Sequence, residues 1–470
     1  MHGKAPGPTA PYATTDQLGG RSARGYCSAG ESLWHRGYLA LMATQFLGAL
    51  NDNLFKVIVS LLAVGTVAEQ QSGGGTLSLA TLMVILPYLL LSGYAAYLAD
   101  SRPKRSTIIL VKLAELALTA LILLAFFFDS LKMMMALLFL MAAQSTFFAP
   151  LKYGILPDIV CRRTLARANG ALELGRYAAV ILGTASGGLL LSVGEGSRVP
   201  VSMALVSVAG LGVLSSLFIP SVEGELRHGR LALNPWSELG TGLRRLRAAP
   251  DLATAVAGLG CFEFTAVLVL LDMLLLGGEA MGLSDAAVGG LGAMTGLGAG
   301  LGCALAGWLC RERLRPNLVP PAALAIATTL MLMSSAPPSF PLASVGLLVG
   351  GLFGGIVFVP LNAMLQDRAQ DDERGLILAT SNWLSMAAVL TAAGLLWVLH
   401  DVVAIPAGVI LACAALPMTL FAGLSLVAQP EFRPKPSRRR QSVPGTYDVP
   451  LTPAEVQAQE MPSPALDRPI

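Results

Sequence analysis

The chain has 470 residues, of which 54% are hydrophobic and only 13% are charged, with a formal net charge of +3. Soluble domains carry about a quarter charged residues, so this composition excludes an ordinary soluble protein and favours one with membrane-spanning segments. The six cysteines and four histidines have no metal-binding spacing, and no nucleotide-binding loop or catalytic-nucleophile motif occurs. We therefore expect no metal, cofactor or nucleic-acid partner, and no self-contained enzyme.

The two ends of the chain are polar and are predicted to be disordered cytoplasmic arms. Residues 1–36 are rich in Gly, Pro, Ser and Thr, and they lack the compact apolar core of a signal peptide. Residues 429–470 are Pro-rich and polar, a composition that does not support a packed core.

Twelve apolar segments lie between these arms, each long enough to cross a bilayer. They run approximately over 38–66, 78–99, 106–128, 132–157, 168–193, 200–220, 252–276, 286–310, 318–336, 341–365, 375–399 and 402–428. The longest internal hydrophilic stretch, 221–251, separates a first six-helix half, 37–220, from a second, 252–428. The sequence therefore predicts an all-α membrane protein with 12 transmembrane helices in two halves.

Lys and Arg residues in the short loops predict the orientation of these segments. One side of the membrane has only Lys132 and Arg198, whereas the other carries most of the remaining basic residues. That basic side includes Arg102, Lys104, Arg105, Arg162, Arg163, Arg167, Arg311, Arg313, Arg315, Arg368 and Arg374, together with the arginines of 221–251. Because basic loops stay in the cytoplasm, both termini are predicted to be cytoplasmic.

An internal repeat supports the division into halves. The stretch APLKYGILPDI in the fourth span resembles VPLNAMLQDRA in the tenth, which aligns Pro150 with Pro360, 210 residues later. Parallel six-span halves joined by a cytoplasmic loop resemble the major facilitator superfamily. The loop ADSRPKRS is similar to that superfamily's signature, which implies Asp100, Lys104 and Arg105 as gating residues rather than a substrate site.

Nine ionisable residues fall well inside the predicted spans. A charge at the bilayer centre costs about 2.5–3.5 kcal/mol on insertion scales, so these residues are expected to face the bundle interior or one another. Three oppositely charged pairs have helical spacing. The nine residues are Asp52, Lys56, Lys112, Glu115, Lys152, Glu173, Arg176, Glu263 and Asp272, and the pairs are Asp52 with Lys56, Lys112 with Glu115, and Glu173 with Arg176.

Seven of these nine residues lie in the first half, which predicts a polar pocket there opposite an apolar wall from the second half. The repeat projects Asp52 to position 262, beside Glu263, so an acid of the seventh span would face the first span across the cavity. The alternative is that Glu263 pairs with a base. Asp272 is predicted near the outer end of its span, within reach of solvent.

Two stretches resemble the bacterial lysophospholipid transporter family. QFLGALNDNLFK, residues 45–56, is similar to that family's first-helix motif, and residues 142–175 are similar to its fourth and fifth spans, above all at Lys-Tyr-Gly-Ile-Leu from Lys152. The resemblance implies movement of lysophospholipid, chiefly lysophosphatidylethanolamine, from the outer to the inner leaflet of the bacterial cytoplasmic membrane. The resemblance also implies that an acyltransferase/acyl-carrier-protein synthetase then restores the missing acyl chain of the lipid. The residues it implies as substrate-contacting or gating positions are Asp52, Asn53, Lys152, Asn169 and Glu173.

We therefore hypothesise a lysophospholipid flippase in which Lys152, with Lys56 or Arg176, binds the phosphate, while Asp52 and Glu263 meet the ethanolamine ammonium. Two alternatives remain at this point. One is a proton-coupled exporter of drugs or amphipathic metabolites, with Asp52 or Glu263 as the coupling acid. The other is a membrane anchor or scaffold that recruits a lipid-remodelling enzyme through its basic tail, although such a tail also suits binding to anionic membrane lipids.

Overall fold

A computed structural model of the chain describes residues 33–68, 73–128, 130–193, 199–222 and 234–432. Most of the two predicted arms therefore lies outside the described residues. The described part is built from α-helices joined by short turns, with no strand. Its helices are α1 (Arg36–Ala68), α2 (Gly73–Ser101), α3 (Lys104–Phe127), α4 (Leu131–Ile159), α5 (Leu165–Val193), α6 (Val199–Ser216), α7 (Pro235–Ala248), α8 (Pro250–Leu275), α9 (Asp285–Leu309), α10 (Val319–Ser335), α11 (Phe340–Arg368), α12 (Arg374–Trp397) and α13 (Ala407–Ala428).

Each of the twelve predicted spans coincides with one of these helices, and α7 is the additional one. It forms inside the stretch 221–251, where Asn234 caps its first turn by accepting a hydrogen bond from the Trp236 amide at 3.0 Å. Pro235 occupies the first helical position, where its missing amide proton is not needed. The hydrophilic link between the halves therefore contains a short helix.

Ten helices of the described chain are long and apolar enough to cross a membrane by length and composition. The two other long helices, α1 and α5, have 33 and 29 residues but carry the polar residues that the sequence places inside the membrane. They are long enough to span about 30 Å of hydrocarbon. Several of their polar side chains, such as Gln45, Asn51 and Glu173, are buried against neighbouring helices. The predicted fold class is confirmed, while the number of twelve stays a prediction.

The two six-helix groups pack in the same way. In the first group α1 contacts α5 and α6, α2 contacts α4, and α3 contacts α6. In the second group α8 contacts α12 and α13, α9 contacts α11, and α10 contacts α13. This correspondence relates each helix of the first half to its equivalent in the second, as the repeat around Pro150 and Pro360 predicts.

Glycine allows the closest helix approach in the second half. A Cβ atom at Gly302 of α9 would overlap the carbonyl oxygen of Leu352 in α11, and one at Gly355 would overlap the backbone of Cys303. Lipid-embedded helices associate mainly through close packing, so small residues at such crossings let the two backbones meet.

We expect Gly302→Ala to lower the stability of the protein by about 1–3 kcal/mol, because the added methyl group has to push α9 and α11 apart. Thermal unfolding of the purified protein in detergent measures this. Gly289→Ala is the matched control on the same helix, since a Cβ there meets no atom within 4 Å. Equal melting temperatures for the two variants would contradict the packing argument.

One end of the bundle carries the Arg-rich loops and is called the basic end from here on. There Asp100 of α2 accepts hydrogen bonds from the backbone amides of Gly375 and Leu376 at 2.6 and 2.8 Å, which caps the first turn of α12. A Cβ at Gly375 would overlap the Asp100 carboxylate, so glycine is needed for this approach. The acid of the predicted gating loop therefore joins the two halves.

Two further contacts at the basic end join the halves. Asp158 of α4 lies between Lys104 of its own half at 2.6 Å and Arg374 of the other half at 2.8 Å. Asn169 and Gln366 exchange two side-chain hydrogen bonds, at 2.9 and 2.8 Å. We call the contacts of Asp100, Asp158 and Asn169 with the second half the basic-end latch. Of the other predicted gating residues, Arg105 donates to the Leu217 carbonyl within the first half.

Candidate functional site

The polar side chains of the first half gather around Glu173 on α5. Its side chain has no exposed surface and forms an ion pair with Arg176, one turn further along the helix. Glu173 also accepts a hydrogen bond from the Tyr153 hydroxyl of α4 and a weak one from Gln45 of α1 at 3.5 Å. The predicted pair of Glu173 with Arg176 is therefore present, and it ties three helices together.

A second ion pair lies on α3. Lys112 and Glu115 are 2.6 Å apart, with side chains only 1% and 2% exposed. Gln144 of α4 donates to the same Glu115 oxygen at 3.1 Å, and the ring of Phe148 lies 4.6 Å from the Lys112 ammonium. The pair fits against α1 because Gly48 has no side chain, since a Cβ there would overlap the Lys112 ammonium.

Asp52 on α1 bonds to α4 and not to Lys56, one turn further along its own helix. One carboxylate oxygen accepts a hydrogen bond from Ser145 at 2.7 Å, and Ser145 also contacts the Gln144 side chain. The other oxygen is buried without a hydrogen-bond partner among the described residues. Lys56 is exposed and forms no ion pair with Asp52 within 4 Å, so the permanent pair suggested by their spacing does not form in the described structure.

Lys152 on α4 is a buried charge that also lacks an opposite partner at close range. Its side chain is 9% exposed, and its ammonium lies 4.4 Å from the centre of the Tyr153 ring. Within the described residues it makes no ion pair at 4 Å or less. Glu173, Arg176 and Asp52 are all within electrostatic range of it.

Most of the charges of this cluster compensate one another. Glu173 with Arg176, and Lys112 with Glu115, neutralise each other in pairs. Of the seven predicted membrane charges of the first half, Asp52, Lys56 and Lys152 have no ion-pair partner among the described residues, and of these three only Lys56 is exposed. A fixed cation and a fixed anion in a region of low dielectric constant can bind a ligand that carries both charges, because each would satisfy one of them.

Of the other predicted site residues, some lie near this cluster and one lies at the basic end. Glu263 of α8 lies across from the first half, within electrostatic range of Arg176 and Glu173. Asn53 donates to the Ala49 carbonyl of its own helix at 2.7 Å. Asn169 lies apart from the cluster, in the basic-end latch.

Several residues near Asp52 were not singled out by the sequence interpretation. Ser145 holds Asp52 directly, and Tyr88 of α2 lies within electrostatic range of both Asp52 and Arg176. Ser145 stands two helical turns before Lys152, so helical spacing could have placed both on one face of α4. Tyr88 has no such signal, because only the packing of α2 against the cluster brings it there.

Comparison with known proteins shows the superfamily to which the chain belongs. The family described as Major Facilitator Superfamily matches residues 41–393. The chain therefore belongs to the Major Facilitator Superfamily, and it is a multi-pass membrane protein of a transporter family, as the sequence predicts.

Two relatives indicate a more specific group of transporters within this superfamily. The lysophospholipid transporter LplT of Yersinia enterocolitica is 26% identical over 373 residues, covering 78% of this chain and 88% of that one. Its counterpart in Cronobacter sakazakii is 27% identical over 379 residues, covering 77% and 89%. These relatives confirm the resemblance drawn from residues 45–56 and 142–175, and the expectation of a transporter rather than an enzyme.

Solved structures agree on the fold. The fucose transporter FucP in its outward conformation superposes with a TM-score of 0.66 at 14% identity, covering 82% of this chain and 98% of that one. The human organic anion transporter MFSD10 superposes with a TM-score of 0.67 at 16% identity, covering 85% and 99%. At such identities the likeness concerns the fold alone.

Proposed function

We propose that the protein moves lysophospholipid, with lysophosphatidylethanolamine as its main substrate, from the outer to the inner leaflet of a bacterial cytoplasmic membrane. The observation that carries the proposal is the couple of Lys152 and Asp52, two charges of the first half that are not exposed and that have no ion-pair partner among the described residues. A lysophosphatidylethanolamine headgroup carries one phosphate and one ammonium, which match this couple in number and sign. The names of the relatives support the same substrate class.

In this proposal Lys152 binds the phosphate and Asp52 the ammonium. The buried free oxygen of Asp52 accepts a hydrogen bond from the ammonium, while Ser145 keeps the carboxylate oriented. In the same proposal Arg176 of α5 shares the charge of the phosphate, and Glu263 of α8 shares that of the ammonium. The free-energy cost of displacing water from Lys152 and Asp52 is offset, because the headgroup supplies an opposite charge to each.

The basic-end latch supports a direction for the cycle. Basic loops remain in the cytoplasm, so the latch closes the cytoplasmic side, both termini are cytoplasmic, and the described state receives substrate from the outer side. Opening of the latch would then release lysophospholipid toward the inner leaflet, where an acyltransferase/acyl-carrier-protein synthetase is the proposed partner. The second half offers the acyl chain an apolar wall, since α9, α10 and α13 carry almost no charged residues.

The test is uptake of labelled lysophosphatidylethanolamine by proteoliposomes that contain the purified protein. Lys152→Met is expected to lower the initial rate by at least about tenfold, because loss of one charge-assisted contact costs about 1.5–3 kcal/mol. Lys132→Met is the matched control, since Lys132 is exposed at the start of α4 and is expected to leave uptake unchanged.

Three outcomes would contradict the proposal. Uptake by Lys152→Met at the parent rate would refute the phosphate assignment. Transport of unrelated amphipathic drugs in preference to lysophospholipid, abolished by an ionophore, would favour the proton-coupled exporter. Absence of any flux in proteoliposomes, with recruitment of a lipid-remodelling enzyme that depends on residues 430–470, would favour the scaffold.

A further inference from the structure

Asp272, in the last turn of α8, is a buried acid that the proposed transport mechanism does not use. The sequence predicts that it reaches solvent, and this is wrong, because its exposed fraction is 0%. Neither carboxylate oxygen has a hydrogen-bond partner among the described residues. Its neighbours along α8, Leu268, Val269, Met273 and Leu276, are also buried.

No charge of the described structure compensates Asp272. On α8 itself, Glu263 lies nine residues earlier and therefore on the opposite helix face. No described Lys, Arg or His side chain lies within ion-pair distance of the Asp272 carboxylate. The described charged groups of the helices packed against α8 all lie at the basic end. They are Glu238, Arg244, Arg245 and Arg247 of α7, Asp367 and Arg368 of α11, and Arg374 of α12. The thiols on these helices are Cys303 of α9 and Cys413 of α13, and His400 and Asp401, which follow α12, contact each other.

The surroundings decide which species Asp272 can bind. An ionised carboxylate buried without a partner costs several kcal/mol, so a positive species has to accompany it. A metal cation such as Na⁺ or Ca²⁺ needs several oxygen ligands, and the described residues contain no cluster of three or more His, Cys, Asp or Glu side chains. A proton needs only the carboxylate itself.

The chain beyond Asp272 provides a way to expose it. The helix passes at Leu276 into a five-residue π-helical turn that ends at Ala280 and contains Gly277 and Gly278. Gly282 follows with φ +59°, a conformation that favours glycine. Single π-turns frequently mark functional positions, and glycine-rich helix ends absorb large backbone changes.

We propose that Asp272 is a proton-binding site. In the state closed at the basic end it is a neutral carboxylic acid, with the O–H bond intact. When the opposite end of α8 rearranges at the π-helical turn, water reaches the carboxyl group, the O–H bond breaks and the proton passes to that water. Proton binding therefore favours the state closed at the basic end, and rising pH favours the alternative state.

The experiment uses the full-length protein in lipid nanodiscs without any lipid substrate, so its outcome is independent of the proposed function. Infrared spectroscopy should detect the carbonyl band of a protonated carboxylic acid at neutral pH, and Asp272→Asn should remove that band. Asp401→Asn is the matched control, because the Asp401 side chain is 58% exposed. An identical band in the parent protein and in Asp272→Asn would overturn the proposal.

A second measurement follows the ratio of the two conformations as the pH changes. Spin labels at positions 163 and 312, exposed residues of the two halves at the basic end, report the closed population by their distance. The ratio of closed to open protein should fall with rising pH, by at most about tenfold per pH unit, and Asp272→Asn should remain closed throughout. A pH response unchanged by Asp272→Asn would show that another group is responsible for it and would refute the proposal. Failure of this variant to fold would show that the site does not accept a neutral side chain, which would also refute the proposal.

Discussion

Glu115→Ala is expected to destabilise the protein by about 3–5 kcal/mol, because it leaves the Lys112 ammonium buried without its carboxylate. The Lys112 side chain is 1% exposed, so water cannot replace the lost partner. Gln144 loses its acceptor at the same time. The measurement is thermal unfolding in detergent, in which this variant should show the largest fall in melting temperature of all single substitutions considered for the protein.

Two controls distinguish the effect of burial from the effect of charge on the melting temperature. Glu312→Ala removes an acid from the pair of Arg311 with Glu312, whose side chains are 58% and 72% exposed, and it should change the melting temperature little. The double replacement of Lys112 by Met and Glu115 by Leu should recover most of the lost stability, because an apolar pair needs no compensating charge. A double variant as unstable as Glu115→Ala would mean that packing rather than charge explains the loss.

Asp100→Ala is expected to shift the protein from the state closed at the basic end toward the alternative state. The substitution leaves the buried amides of Gly375 and Leu376 without their acceptor, and loss of such a helix cap costs about 2 kcal/mol, or roughly thirtyfold in the ratio of the two states. The distance between spin labels at positions 163 and 312 measures the shift.

The effect should be specific to the contact between the halves. Asp401→Ala, at the far end of α12, removes an exposed acid and should leave the distance distribution unchanged. The melting temperature of Asp100→Ala should fall much less than that of Glu115→Ala, because the alternative state has no need of this cap. A distance distribution identical to that of the parent protein would show that Asp100 does not control the gate.

The fold was largely predictable from the sequence, because its main signals are local. A run of about 20 apolar residues has to form a helix in lipid, where backbone groups find no water. This is why every predicted span coincides with a helix. The segment from Pro235 to Ala248 was predicted only as part of a loop, since its amphipathic pattern is too short to stand out within a hydrophilic stretch.

The candidate site was predicted in part. Helical spacing correctly paired Lys112 with Glu115 and Glu173 with Arg176, because both partners lie on one face of one helix. For Asp52 and Lys56 the spacing left open whether the two stay paired, and in the structure Ser145 of another helix donates to the Asp52 carboxylate. Spacing along one helix gives no information on a hydrogen-bond partner from another helix.

The sequence by itself determined which segments are helical, which ends carry the basic loops and which ionisable residues enter the membrane. It determined these because hydropathy, loop charge and helical spacing are properties of neighbouring residues. Only the tertiary structure decided which charges remain unpaired, because that depends on contacts between residues more than ninety positions apart, such as Asp52 with Ser145. For the same reason it alone showed that Lys152 lacks a close counter-charge among the described residues, that Asn169 belongs to the latch, and that Asp272 is buried in an apolar environment.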